Sequence, residues 1–328
     1  MIPMLRIRNL KIEPALILAP MSGISDVPFR KIMRKFGVHL AFMEMLNVRA
    51  LPCARQKIDS LFKLESSDWP VGIQLLGTEE KFILRALEIL HKYKLSIIDF
   101  NAACPVRKVV RRGEGAALLR EPKKLYRLLK LIRKNTDLAL SVKLRTGWSK
   151  SCVNAVDIAS YVQDAGLDCI FIHGRTREQK YSGNVDYETI KRVKKSVSIP
   201  VVASGDIFSA ALAKKMLDET AADGLLLARG TLGHPWLFKE IKTYLESGVV
   251  PKLPSLAQKF KVIFQHLDFL IDFYGEKTAL IKFRKFIGWY LKGEKNIRAI
   301  RKQSSQIKTK KELSNLLNKF RLIKKELK

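Results

Sequence analysis

The chain has 328 residues, a length that suits one large domain with an appendage, or two domains. It carries 61 Lys and Arg against 31 Asp and Glu, a formal net charge of +30, and 47% of its residues are hydrophobic. That hydrophobic content excludes wholesale disorder, and no apolar run approaches the ~20 residues of a membrane helix. The N-terminal residues show no secretory signal, and four cysteines without CxxC spacing do not form a disulfide framework. We therefore predict a cytoplasmic protein without a membrane span.

The positive charge is concentrated near the C-terminus. Residues 251–328 hold 20 Lys and Arg against 6 Asp and Glu. Such an excess indicates a polyanionic partner, most simply a nucleic acid, although a lysine-rich solvated surface would give the same count. The charge alone does not choose between RNA and DNA.

The chain up to about residue 245 alternates short β-rich runs with helical patterns. The apolar runs that predict strands are 16–20, 40–46, 71–76, 97–101, 139–145, 169–173, 200–204 and 224–229. The helical patterns lie near 26–36, 79–93, 122–134, 152–165, 186–196 and 209–217, with Thr78 as a candidate cap of the second. Eight runs that are apolar on both faces, each followed by a helix or a long loop, favour a (β/α)8 TIM barrel. A doubly wound open sheet is the alternative.

The residues after 245 predict a smaller all-helical domain. Gly248, Pro251 and Pro254 punctuate a linker over 246–255. Three helices follow, and the first and the last begin with capping-box spacings, Ser255 with Gln258 and Thr309 with Glu312. We therefore predict a catalytic barrel over 1–245 and a basic, nucleic-acid-binding helical domain over 256–328.

The carboxyl ends of the predicted strands carry an unusual number of polar residues. Function in a barrel of this kind lies at these ends. Small residues after the seventh and eighth strands suit a phosphate group, because backbone N–H groups must approach it closely. The residues at the strand ends include Pro20, Met21, Ser22, Gly23, Glu44, Gln74, Asn101, Cys104, Lys143, Arg145, His173, Arg175, Ser204, Gly205, Asp206, Ala228, Arg229 and Gly230.

Six segments around these strand ends are recognisable as a set. They are LAPMSGISDVPFR, NAACPVRKVVRRGEGAALL, SVKLRTGW, IHGRT, VVASGDI and GLLLARGTLGHPWLF. Together with FRKFIGWYLKG in the helical part, they resemble the tRNA-dihydrouridine synthases over about residues 14–295, and most closely the bacterial DusB-like branch. The resemblance implies an FMN enzyme that reduces a uridine of the tRNA D-loop to 5,6-dihydrouridine, with NADPH or NADH as the reductant.

The resemblance also implies which residues hold the flavin. Lys143 would lie near the pyrimidine edge of the isoalloxazine ring, where an ammonium stabilises the negative charge of the reduced flavin. A salt bridge at the strand end is the alternative for Lys143. The implied FMN-binding residues are Pro20, Met21, Ser22, Gln74, Asn101, Lys143, His173, Ser204, Gly205, Asp206, Ala228 and Arg229.

By the same resemblance, Cys104 is the general acid that protonates C5 of uracil after hydride reaches C6. A thiol with the reference pKa of ~8.5 is mostly protonated near neutral pH and can donate. Neighbouring Arg and Lys residues lower a thiol pKa, so the sequence leaves the protonation state open. We expect Cys53, Cys152 and Cys169 to be small buried hydrophobic residues.

The resemblance assigns tRNA or uracil contacts to basic residues in three places. Residues 108–115 predict a mobile lid over the pocket, although a solvated charge run explains its arginines equally well. Tyr290, in the helical motif, is expected to pack in the core of the bundle. The assigned residues are Arg111 and Arg112 in the lid, Arg145 and Arg175 at strand ends, and Arg284, Lys285 and Lys292 in the helical domain.

Several features limit or qualify this interpretation. No residues have metal-ligand spacing, so no metal is expected. Neither a dinucleotide-binding fingerprint nor a P-loop occurs, so the nicotinamide cofactor would use the same mouth as the tRNA. Ala103, Ser204, Ala228 and Phe286 stand where the family more often has Gly, Asn, Gly and His.

Two other functions remain as alternatives. One is an FMN oxidoreductase acting on a small free pyrimidine, and the other is a non-catalytic RNA-binding protein. A monomer is expected.

Overall fold

The computed structural model of the chain describes residues 4–51, 62, 66–294 and 297–326. Eight parallel strands within these residues close into a barrel. They are β3 (Leu16–Leu18), β4 (Leu40–Asn47), β5 (Val71–Leu76), β6 (Ile97–Asn101), β7 (Ala139–Arg145), β8 (Cys169–His173), β9 (Val201–Ser204) and β10 (Gly224–Leu227). Because β10 pairs with both β9 and β3, the predicted (β/α)8 barrel is confirmed and the open sheet is wrong.

The barrel strands are buried on both faces. All six residues of β5, VGIQLL, are buried, as are all five of β6, IIDFN. Parallel strands lie between the barrel interior and a layer of helices, so both faces need apolar side chains. Strand pairing sets Asn101 opposite Lys143 and His173 opposite both Arg145 and Ser204. The register therefore brings the polar strand ends of β6, β7, β8 and β9 side by side.

Helices connect the strands and form the outer layer. They are α1 (Val27–Arg34), α2 (Glu80–Leu90), α3 (Arg107–Val110), α4 (Pro122–Lys134), α5 (Ala155–Asp164), α6 (Tyr187–Ser196), α7 (Ala210–Thr220) and α8 (Leu237–Ser247). The start of α1 shows why its sequence is helical: the Asp26 side chain accepts the N–H of Phe29, and Pro28 stands in the first turn. The predicted cap of α2 is wrong, because that helix begins after Glu79 without a side-chain cap.

A hairpin that the sequence did not predict precedes the barrel. It consists of β1 (Leu5–Ile7) and β2 (Leu10–Ile12), which pair antiparallel. Leu5, Ile7 and Ile12 pack in one buried cluster with the first residues of several barrel strands. The hairpin therefore closes the amino-terminal end of the barrel, opposite the polar strand ends.

The described residues after 250 form four helices rather than the three predicted. They are α9 (Leu256–Tyr274), α10 (Glu276–Tyr290), α11 (Ile297–Ser304) and α12 (Lys310–Glu326). The capping box of α9 is confirmed, because Ser255 and Gln258 cap each other's backbone. At α12 the Thr309 hydroxyl accepts the N–H of Glu312, but the Glu312 carboxylate accepts the N–H of Lys308 instead of closing a box. The helical domain is therefore larger by one helix than the sequence indicated.

The helical part packs directly on the barrel. Gly233, at φ +69°, lies so close to α10 that a Cβ there would be 2.1 Å from the carbonyl carbon of Trp289. Phe29 of α1 stacks on Phe286 of α10 with 5.7 Å between ring centroids. Backbone packed against backbone leaves little freedom for one part to move against the other. Among the described residues, none of the helices is long and apolar enough to cross a membrane.

The cysteines differ in their surroundings. Cys169 is buried near the amino-terminal end of the barrel, as expected, whereas Cys152 is partly exposed in the loop after β7. Cys53 lies outside the described residues. Tyr290 is buried in the bundle, as expected, and its hydroxyl is 3.0 Å from Nδ1 of His266.

Candidate active site

A cleft of about 570 Å³ opens at the carboxyl ends of the barrel strands. All the residues that the sequence assigned to a cofactor line it, together with Cys104 and Arg145. Further lining residues, which the sequence reasoning did not select, include Met45, Val109, Tyr181, Ile207 and Phe208. The cleft is therefore the place where the predicted polar strand ends meet.

Lys143 places its amine in this cleft. Its Nζ donates to Oγ of Ser204 at 2.8 Å, and that hydroxyl in turn donates to the carbonyl of Ile172 at 3.1 Å. Burial, and to a lesser extent the positive charge of Arg145, lower the pKa of Lys143 to about 7. No carboxylate lies within ion-pair distance of Lys143 among the described residues, so its charge is available to an anionic ligand.

A chain of hydrogen bonds runs beneath the cleft from a buried carboxylate to the cysteine loop. Asp99 Oδ2 accepts from Nε2 of Gln74 at 2.6 Å, and Gln74 Oε1 accepts from Nδ2 of Asn101 at 2.7 Å. Asn101 Oδ1 then accepts the backbone N–H groups of Ala103 and Cys104 at 3.1 and 2.8 Å. The Asn101 amide is thus bonded within the chain, and it fixes the turn that carries Cys104.

Cys104 lies partly exposed in the cleft. Burial raises the pKa of its thiol, and the lowering effects of the Val106 backbone N–H and of nearby arginines are smaller. A raised pKa favours the protonated thiol at neutral pH. Gly115, at φ +61°, lies so close that a Cβ there would be 2.8 Å from the Cys104 carbonyl oxygen. A glycine is required at that position to let the following loop pack on the cysteine.

Arg145 ties two loops of the cleft together. Its Nε donates to the carbonyl of Ala103 at 2.7 Å, and its Nη1 donates to the carbonyls of Thr176 and Lys180 at 2.9 and 2.8 Å. It is 2% exposed, and its guanidinium lies 5.6 Å from the ring centroid of Tyr181. Arg145 therefore supports the cysteine loop while remaining in the cleft wall.

The loops after β9 and β10 form a cationic end of the cleft. Gly205 has φ +136° and Asp206 φ +47°, backbone conformations that turn the chain tightly. The carboxylate of Asp206 pairs with Arg175 and, at 2.6 Å, with Arg229, and the hydrogen bond from Arg175 lowers the pKa of Asp206. The Arg229 guanidinium lies between two exposed rings, 4.8 Å from Tyr181 and 5.6 Å from Phe208. A phosphate group suits this combination of open turn and arginine.

The other basic residues with predicted contacts do not line the cleft. Arg175 is as buried as Arg145, and its guanidinium bonds to Asp206 and to the carbonyls of Ser182 and Gly183 instead of facing solvent. Arg112 is exposed but pairs with the buried carboxylate of Glu114 at 2.7 Å.

The lid segment and the helical domain present the remaining basic residues. The segment 108–115 contains the end of α3 and a turn, and Ala116 donates its N–H to the Cys104 carbonyl at 3.1 Å, so it is anchored beside the cysteine. Arg111, Arg284, Lys285 and Lys292 are exposed. Lys285 also donates to the carbonyl of Gly23, at the end of the predicted flavin-binding segment.

Asp99 is the most informative residue that the sequence reasoning missed. It stands two residues before Asn101 on β6, and residues two apart on a strand point to the same face. Because Asn101 was already expected at the site, that alternation could have identified the carboxylate beneath it. Among the described residues, no group of His, Cys, Asp and Glu side chains could hold a metal ion.

Comparison with known proteins agrees with this geometry. The family model described as Dihydrouridine synthase (Dus) matches residues 17–327. The chain belongs to the dihydrouridine synthase family. It is 36% identical over 294 residues to a probable tRNA-dihydrouridine synthase of Rickettsia bellii, covering 89% of this chain and 90% of that protein. It is also 36% identical over 289 residues to tRNA-dihydrouridine synthase B of Pasteurella multocida, covering 88% and 87%. The resemblance to the DusB-like branch is thereby confirmed.

Solved structures with the same barrel are more distant in sequence. A histamine dehydrogenase from Rhizobium sp. 4-9 superposes with a TM-score of 0.57 at 14% identity, over 82% of this chain and 50% of that one. An amine oxidase from Pseudomonas geniculata N1 gives 0.59 at 13% identity, over 80% and 52%. The chain thus spans about half the length of these two proteins, and at such identities the likeness concerns the fold alone.

Proposed function

We propose that this protein reduces a uridine of tRNA to 5,6-dihydrouridine, with FMN as its bound cofactor and NADPH, or NADH, as the reductant. The observation that carries the proposal is the meeting of the Cys104 thiol and the Lys143 amine in one cleft of a dihydrouridine synthase family member. The relatives named as tRNA-dihydrouridine synthases support tRNA as the substrate.

The residues of the cleft fit FMN. A volume of about 570 Å³ is within the usual range for a cofactor site. Three cations, Lys143, Arg145 and Arg229, face one carboxylate, Asp206, among the described lining residues, which suits a ligand that carries a phosphate and becomes anionic on reduction. A Cβ at Gly205 would lie 3.1 Å from the Val185 side chain, so a glycine keeps this turn close-packed, as a phosphate cradle needs.

The chain's own residues supply binding, charge and a proton. When bound, FMN supplies the hydride that is delivered to C6 of uracil. Lys143 holds positive charge where negative charge develops, and the Cys104 thiol donates the proton to C5. Burial keeps that thiol protonated until the reaction requires the proton, and Arg145 with Asn101 holds the Cys104 turn in place. His173, whose pKa burial lowers well below its usual range, is neutral and offers a hydrogen bond without adding charge.

The basic helices are proposed to hold the RNA. Residues 251–328 carry the large excess of Lys and Arg, and Arg284, Lys285 and Lys292 are exposed on or beside α10. The target base has to leave its stack to reach a cleft in the barrel, so the protein should grip tRNA by shape and phosphate while the cleft receives one uracil. We propose residues 1–245 as the catalytic domain, 246–255 as the linker, 256–328 as the tRNA-binding domain and the cytoplasm as the site of action.

The test follows the flavin through its two half-reactions. Purified protein is expected to bind FMN, to lose the flavin absorbance on addition of NADPH, and to regain it when unmodified tRNA is added. Cys104→Ala should bind FMN and be reduced by NADPH normally, yet regain absorbance with tRNA roughly 10²–10⁴-fold more slowly. Protein that binds no FMN would contradict the proposal. Reoxidation by free uracil or orotate in place of tRNA would favour the small-molecule alternative.

A further inference from the structure

Asp99 is a buried carboxylate that does not itself line the cleft. It is 1% exposed, in the middle of β6, and it accepts two hydrogen bonds, one from the Ser141 hydroxyl at 2.7 Å and one from the Gln74 amide at 2.6 Å. The proposed reaction does not use it. A carboxylate is an expensive group to bury, so its position at the end of the chain that leads to Cys104 requires an explanation.

The direction of every hydrogen bond in this chain follows from Asp99. Burial raises the pKa of Asp99 to about 7, so both forms of the carboxyl have to be considered. The ionised form can only accept, and the protonated form can place its proton on Oδ1, toward the Ser141 hydroxyl. In both forms Oδ2 accepts from the NH2 group of Gln74, whose carbonyl oxygen then turns toward Asn101. Asn101 then has to turn its NH2 group toward Gln74, and its carbonyl oxygen is left for two backbone N–H groups of the Cys104 turn. Reversing either amide would set donor against donor in a buried place.

We propose that Asp99 is a positioning residue that fixes the orientation of the Gln74 and Asn101 amides, and through them the Cys104 turn and the donor that Gln74 offers to the cleft. Gln74 lines the cleft, and the second hydrogen of its amide has no acceptor among the described residues. A bound ligand therefore has to present an acceptor there, as the carbonyl groups of a flavin pyrimidine edge do. This link to flavin rests on the proposed function, whereas the link to Cys104 does not.

The numbers of hydrogen-bond donors and acceptors predict how variants at Asp99 and Ser141 should behave. In Asp99→Asn, the new amide can keep its oxygen toward Gln74 and donate its NH2 to the Ser141 hydroxyl, so the chain keeps its direction. In Ser141→Ala, measured well above pH 7 so that Asp99 is ionised, the carboxylate still only accepts, and the direction is again kept. In the double variant nothing holds the amide at position 99 in one orientation. The hydrogen bonds from it through Gln74 to Asn101 can then run in either direction. The two mild changes should therefore be harmful only together.

Two measurements report on the two places that the hydrogen-bond chain controls, the Cys104 turn and the Gln74 amide in the cleft. The first is the rate at which iodoacetamide alkylates Cys104 in flavin-free protein, followed by peptide mass mapping so that other cysteines do not interfere. The second is the Kd for FMN, from quenching of flavin fluorescence. We expect each single variant to stay within about threefold of the unsubstituted protein on both measurements, as for independent small changes. The double variant should alkylate roughly fivefold faster and bind FMN roughly tenfold more weakly.

Exposed Asp157→Asn on α5 is the matched control, and it should change neither measurement. Thermal melting should show that the variants remain folded, which these conservative substitutions favour. Effects that simply add in the double variant would overturn the proposal. A single Asp99→Asn as damaging as the double would overturn it too, because the negative charge and not the orientation would then be what matters. If the unsubstituted protein binds no FMN, the proposed function fails, but the alkylation rates still decide the role of Asp99.

Discussion

We expect Lys143 to lower the free energy of unfolding of the flavin-free protein, because its ammonium form is buried there without a bound anion. Its pKa of about 7 in the folded chain compares with 10.5 for an unperturbed lysine. A shift of that size corresponds to about 5 kcal/mol of unfavourable free energy for the charged form, and to about 4 kcal/mol at pH 7, where half of the lysine is neutral. Replacing Lys143 with the similarly shaped Met removes this penalty and loses one hydrogen bond to Ser204, worth about 1 kcal/mol.

We therefore expect Lys143→Met to stabilise the flavin-free protein by about 2–4 kcal/mol at pH 7. For a chain of 328 residues this corresponds to a rise in melting temperature of about 3–6 °C. Because the pKa of Lys143 is lower in the folded than in the unfolded chain, the penalty is fully present below pH 7 and is lost as the pH rises toward 10.5. At pH 9 the penalty falls to about 2 kcal/mol, and after the lost hydrogen bond the difference between the two proteins should shrink to about 1 kcal/mol.

The assay is chemical denaturation of flavin-free protein at pH 6, 7, 8 and 9, with exposed Lys92→Met as the control that should show neither gain nor pH dependence. FMN binding should change in the opposite direction, with Lys143→Met weakening it by about 10–100-fold through loss of a charge-assisted hydrogen bond. A Lys143→Met protein that is less stable at every pH, or a stability difference that does not vary with pH, would refute the reasoning that burial depresses this lysine.

Three further predictions concern other parts of the molecule. Since burial raises the pKa of the Cys104 thiol, its alkylation should be slow at pH 7 and accelerate only above about pH 9, and a plateau already reached at pH 7 would show a thiolate instead. Gly233→Ala should lower the free energy of unfolding by about 3 kcal/mol or more because its Cβ would overlap the α10 backbone, whereas Gly248→Ala, at a similar φ of +71° with nothing within 4 Å, should lose only about 1 kcal/mol. Removing the charges of Arg284 and Lys292 should each reduce the slope of log K against log salt for tRNA binding by about 0.7–0.9, and an unchanged slope would place the RNA elsewhere.

The barrel could be predicted from the sequence because its signals are local. Each strand is a short run buried on both faces, and the run from Ala139 to Arg145 was predicted with its observed bounds. The hairpin from Leu5 to Ile12 escaped prediction because its strands of three residues are too short to show a period. Helix α11 was missed for a similar reason, since eight residues hold barely two turns.

The residue types at the site were predicted better than the directions of their side chains. Arg145 and Arg175 were both expected to contact tRNA or uracil, but both are 2% exposed. Arg145 is bonded to loop carbonyls in the cleft wall, and Arg175 is bonded to Asp206. Which donor a guanidinium uses depends on carbonyl groups from loops distant in sequence, and no local pattern records that. The contact of Gly233 with Trp289 is of the same kind, because it joins two elements that only the fold brings together.

The close contact between Gly233 and α10 holds the barrel and the helical part in a fixed relative position. The distance between Cys104 and the exposed Lys285 of α10 is then fixed by this packing. If the basic helices hold tRNA as proposed, a phosphate bound at Lys285 would determine which nucleotide reaches the cleft. The distance between the RNA contact and the cleft would then decide which nucleotide is chosen, and adding one methyl group at Gly233 would change that distance.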